Sequence, residues 1–91
     1  IAGQIISIDR YGNAITNIAA DDLDLFKKPI EAGVLVGDST VPVQETYSSV
    51  AAGEPVAYIG SCGLLELGVN GGSMADRFGL SVGTSVTVNL K

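Results

Sequence analysis

The chain has 91 residues, 5 basic and 10 acidic side chains, a formal charge of −5 and 46% hydrophobic content; it fits one small domain with a thin margin for a core, and its acidity opposes a phosphate backbone. Its cations, Arg10, Lys27, Lys28, Arg77 and Lys91, are scattered, and the lack of histidine excludes imidazole catalysis and a Ser–His–Asp triad supplied by this chain alone. A single cysteine, Cys62, makes neither an internal disulfide nor a zinc cage, and no apolar run approaches the roughly 20 residues of a membrane helix.

Gly3 to Asp9 is rich in β-branched residues, Tyr11-Gly12-Asn13 is a turn signal, and Asn13 to Ile18 resumes the β-branched run. Two strands joined by a tight turn are expected. From Ala20 to Lys28, Leu23 and Phe26 share i, i+3 spacing, with acids first and lysines last, so one or two helical turns ending at Pro29 are predicted. Gly33 to Val43 reads as a hairpin turning at Gly37-Asp38-Ser39, with Pro42 pushing its second strand toward an edge or a bulge. Val56, Tyr58, Leu65 and Leu67 flank Gly60-Ser61-Cys62-Gly63 and predict a third strand pair. Ser73 can cap a short helix that Gly79 ends, and Val86, Val88 and Leu90 alternate in a closing strand. The expected fold is all-β: a small closed antiparallel β-barrel of six or seven strands, Greek-key-like, with one or two short helices.

Four stretches could carry chemistry. Asp9, Tyr11 and Asn13 gather a carboxylate, a ring and a carboxamide around one turn, with Thr16 and Asn17 just beyond. An Asn amide presents a donor and an acceptor side by side, the complement of adenine N6 and N7, and a tyrosine face can stack on a base. Hairpin chemistry alone also accounts for Tyr-Gly-Asn, because Gly and Asn tolerate positive φ. Ser61, within Gly60-Ser61-Cys62-Gly63, could meet a carboxylate, or the stretch is only a glycine-flanked turn. Cys62 has no basic neighbour that would make it a thiolate. Asn70-Gly71-Gly72-Ser73 leads into a helix where free amides could bind an acceptor, although it does not fit a phosphate loop. Tyr47 is either a stacking surface or a hydrophobic plug. Asp21, Asp22 and Asp24 read as a solvated helix start.

Taken together, IDRYGNAITNI at 8–18, Tyr47, AGEPVAYIGSCGLLELGVNGGSMADRFGL at 52–80 and the closing VGTSVTVNL resemble the C-terminal barrel domain of the S-adenosylmethionine hydroxide adenosyltransferases, relatives of the fluorinases and chlorinases. The resemblance covers nearly the whole chain and rests on two dense blocks, D-x-[FY]-G-N-x-x-T-N-I and G-S-x-G-x-L-E-L-x-V-N-G-G. It implies an enzyme that hydrolyses S-adenosyl-L-methionine (SAM) to adenosine and methionine. It also implies a homotrimer in which SAM lies between this barrel and the N-terminal α/β domain of a neighbouring subunit. That α/β domain would hold the water-activating residues, so this chain is expected to carry no catalytic residue, no metal site and no cofactor beyond the substrate.

By the same resemblance Asn13 would hydrogen-bond adenine, Tyr11 and Tyr47 would pack on the base, and the backbone at Val69 and Gly71 would complete its edge. Ser61 would meet the methionine carboxylate and Asp9 the ammonium. The halogenating branch has an extra residue between the Asp and the aromatic, and a basic residue where Cys62 stands, so the chain is closer to the hydroxide branch. The chain starts at Ile1, inside a strand-like run, and is expected to be a single domain, 1–91, cut from a longer protein. A soluble, cytoplasmic setting is expected, without nucleic acid or membrane as partner. The alternative is a free-standing β-barrel module that binds protein and no nucleotide.

Overall fold

The computed structural model describes residues 1–19, 32–44 and 49–90. The helix expected over Ala20 to Lys28, and Tyr47, lie outside the described residues. Among the described residues, seven strands and one helix follow in the order β1 (Ala2–Ile8), β2 (Ala14–Ala19), β3 (Ala32–Val36), β4 (Ser39–Pro42), β5 (Pro55–Ile59), β6 (Leu64–Val69), α1 (Met74–Phe78) and β7 (Ser85–Leu90). They form one antiparallel sheet of order β4-β3-β7-β1-β2-β6-β5. Its outer strands meet through a parallel bridge between Val43 and Ala57, where the Gln44 N–H donates to Ala57 O at 2.8 Å. This contact nearly closes the sheet into a barrel, the expected architecture, by joining the two edges at one point. Pro42 ends β4 opposite Gly33, beside that seam, where a missing N–H costs least.

Alternation decides which residues turn inward. Val34 and Val36, Val41 and Val43, Leu65 and Leu67, Val86 and Val88 are all buried, and the residues between them face out or pack less deeply. Short β-branched side chains suit a narrow barrel, whose interior has to be filled without voids. Among the described residues, Thr16 is the buried polar exception. Its hydroxyl donates to Leu65 O at 2.8 Å and accepts the Ile18 N–H at 3.1 Å. The β2–β6 ladder shifts register between Ile15 and Ala19, so this hydroxyl supplies pairing where the backbone ladder is interrupted.

Helix α1 starts and stops as the sequence predicts. Ser73 Oγ accepts the Asp76 N–H at 3.2 Å, and Gly79 closes the helix with φ 65°. Met74 is fully buried in the core, with Phe78 and Leu80 packed against it. Among the described residues no helix is long and apolar enough to cross a membrane.

Candidate functional site

The loop between β1 and β2 is organised by one carboxylate. Asp9 Oδ1 accepts the backbone N–H of Tyr11 and of Asn13, each at 2.9 Å, and Oδ2 accepts Asn13 Nδ2 at 3.0 Å. The Asp9 N–H donates to Asn13 O and the Gly12 N–H to Asp9 O, both at 3.0 Å, while Gly12 takes φ 85°. Partial burial pushes the Asp9 carboxyl upward, but the hydrogen bonds from Asn13, Tyr11 and Gly12 outweigh it and hold the pKa below its ordinary value. Asp9 therefore stays ionised and fixes which end of the Asn13 amide is the donor.

A second wall follows β6. The Gly72 N–H donates to Val69 O at 3.1 Å, and Gly71 sits at φ 79°, so residues 69–72 fold back as a tight turn into α1. The two walls are welded at Gly12. Its carbonyl accepts the Ala75 N–H at 2.9 Å, and a Cβ at Gly12 would overlap Ser73 Oγ. The start of α1 is consequently occupied: the amides of Ala75, Asp76 and Arg77 bond Gly12 O, Ser73 Oγ and Ser73 O.

Between the walls lies a groove of about 560 Å³ lined by Tyr11, Asn13, Val69, Gly71, Gly72 and Ser73. Tyr11 is 69% exposed. The Arg10 guanidinium lies 5.4 Å from its centroid. An aromatic face, a fixed carboxamide and the backbone of a glycine-rich turn together suit a flat heteroaromatic ring with a polar edge. Among the described residues no cluster of His, Cys, Asp or Glu could hold a metal ion.

The structure thus brings Tyr11, Asn13, Val69 and Gly71 into one groove, with Asp9 directly behind. Ser61 is placed elsewhere. It is exposed in the turn between β5 and β6, at the opposite end of β6 from Val69. The outer face of the hairpin connects the two places. A Cβ at Gly68 would fall 2.8 Å from Asn13 Oδ1 and 3.4 Å from the Tyr58 ring. The Tyr58 hydroxyl donates to Glu66 Oε1 at 3.4 Å, and the Glu66 carboxylate lies over Gly60, the residue before Ser61. Burial raises the Glu66 pKa above its ordinary value; the Tyr58 hydrogen bond opposes that shift and the negative charge of Asp9 reinforces it.

Sequence reasoning missed Tyr58, Glu66 and Gly68, and named Gly72 and Ser73 only within the Asn70-Gly71-Gly72-Ser73 stretch before the helix. The inward pair Leu65 and Leu67 carried the signal for Glu66, since period-two alternation turns the residue between them outward.

Comparison with known proteins gives the following. Residues 3–87 match the model of the SAM hydroxide adenosyltransferase C-terminal domain. A relative from Thermus thermophilus, (R)-S-adenosyl-L-methionine hydrolase, is 44% identical over 84 residues, covering 92% of this chain and 30% of its own length. A crystal structure of a conserved hypothetical protein, also from Thermus thermophilus, is 41% identical with a TM-score of 0.83, over 97% of this chain and 34% of that one. A crystal structure of an uncharacterized conserved protein from Thermotoga maritima is 25% identical with a TM-score of 0.83, over 97% of this chain and 35% of that one. The chain spans about a third of the length of these proteins.

Proposed function

Because the chain belongs to the SAM hydroxide adenosyltransferase C-terminal domain family, we propose that it is the substrate-binding wall of an enzyme that hydrolyses SAM to adenosine and L-methionine. The observation that carries this reading is the groove. Tyr11 offers a face to the adenine ring, Asn13 offers its amide to the polar edge, and the backbone at Val69 and Gly71 meets the remaining edge. The name of the Thermus thermophilus relative supports SAM as the substrate. Tyr47 would add a second ring against the base.

The methionine end of SAM leaves the groove over Gly68 along the strip of Tyr58 and Glu66, its carboxylate directed toward the Ser61 end of β6 and its ammonium toward Asp9. That direction is supported by the contacts linking Asn13 to Gly60 on the outer face of the hairpin. The groove is open on one side, which suits a site completed by the N-terminal domain of a neighbouring subunit in a homotrimer. Water activation belongs to that domain, and no further cofactor is required. The same reading places the enzyme in the cytoplasm, where SAM is made and used.

Adenosine titration followed by amide NMR tests the groove. The expected result is shifts confined to residues 10–13 and 69–73, with an affinity weakened by Asn13→Ala. Shifts elsewhere, or an affinity indifferent to Asn13→Ala, would return the loop to a plain hairpin turn.

A further inference from the structure

Asn70 turns three of its hydrogen-bonding groups onto one short segment, residues 50–54. Its Nδ2 donates to Val50 O at 2.8 Å, its N–H donates to Glu54 O at 3.1 Å, and its carbonyl accepts the Gly53 N–H at 2.7 Å. The segment is itself a closed turn, with the Glu54 N–H on Ala51 O at 3.0 Å and Gly53 at φ 85°. It is pinned a second time from α1, where the Arg77 guanidinium donates to Gly53 O. Residues 50–54 therefore span from the end of β6 to α1.

The chain neighbours of Asn70 are Val69 and Gly71, and both line the groove, as do Gly72 and Ser73. Left to itself, this turn is poorly determined: it contains two consecutive glycines, and one internal hydrogen bond, Gly72 N–H to Val69 O, holds it closed. A wall made of backbone recognises a ligand only when its groups are already aimed, because ordering them on binding subtracts from affinity. Asn70 supplies that order from outside the groove.

We propose that Asn70 is a positioning residue for the groove, bracing the 69–72 turn against residues 50–54, with Arg77 as the second anchor of the brace. The assignment of adenosine as the probe rests on the function proposed above; the bracing itself does not. Three variants separate the two ideas: Asn70→Ala, Arg77→Ala and Thr84→Ala. The last removes a hydroxyl that accepts the Ser81 N–H at 3.1 Å, a bond of the same kind outside the groove lining.

Each variant is compared with the wild type in thermal unfolding, adenosine affinity and hydrogen exchange at the Gly53 and Gly72 amides. Asn70→Ala should weaken adenosine binding about tenfold and speed exchange at both amides by more than its loss of global stability explains. Arg77→Ala should act in the same direction with a smaller effect, which keeps the test open if Asn70→Ala does not fold. Thr84→Ala should lower the melting temperature and leave adenosine affinity unchanged. Equal effects of Asn70→Ala and Thr84→Ala on affinity, or unchanged exchange at Gly53 and Gly72, would overturn the proposal. A wild type that ignores adenosine would overturn the functional reading alone, and exchange at the two glycines would still decide the brace.

Discussion

A hydroxyl in a barrel interior is stabilising only if its donor and its acceptor are both engaged, and Thr16 meets that condition through Leu65 O and the Ile18 N–H. Thr16→Val keeps the shape and strands both partners, so urea unfolding should show a loss of roughly 1–3 kcal/mol. Asp9 and Glu66 have opposite pH signatures. Asp9 is depressed, so its contribution to stability is complete above the ordinary carboxylate range and is lost as pH falls through the lower folded value. Glu66 is raised, so its contribution is complete at low pH and is lost as pH rises through the folded value. Glu66→Gln keeps an acceptor for the Tyr58 hydroxyl and removes the charge. It should raise the melting temperature at pH 7 and give no gain near pH 4, and a gain of equal size at both values would contradict the assigned sign.

Elements were legible in the sequence wherever their determinants are local. The strand pair around Ser61 follows from alternation and small turn residues, and α1 runs between a serine cap and a left-handed glycine, as its sequence states. The candidate residues on the first turn, Tyr11 and Asn13, were named from the resemblance, and both line the groove. What the chain could not show was the joining of distant elements, because Gly12 and Ser73 are neighbours only after β2 pairs with β6. The strip from Gly68 to Gly60 was hidden for a similar reason, since it needs the register of Tyr58 against Glu66. Gly12 thus serves two demands at once: φ 85° for the turn, and close approach to Ser73. Gly12→Ala should cost roughly 1–3 kcal/mol and speed exchange of the Ala75 amide, whose acceptor is Gly12 O. Full protection of Ala75 in that variant would show that the weld between the two walls does not depend on a bare Cα.

For the molecule as a whole, the question is whether this barrel can do chemistry by itself. Displacing methionine from the ribose carbon needs an activated water in line with the sulfonium, and activation needs a base that takes a proton near neutral pH. The chain has no histidine. The groove lining among the described residues offers a phenol, an amide, a hydroxyl and backbone, none of which is such a base. Asp9 is held below its ordinary pKa and its oxygens already accept three hydrogen bonds from its own loop, so it is a poor proton acceptor and a good electrostatic anchor. Glu66 is shifted in the useful direction, yet it stands over Gly60, away from the groove lining. Residues 1–91 alone should therefore leave SAM intact: incubation should release methionine no faster than buffer does, and Asn13→Ala should not change that rate. Release above the buffer rate that Glu66→Gln or Ser61→Ala abolishes would move the chemistry into the barrel and overturn its assignment as a binding wall.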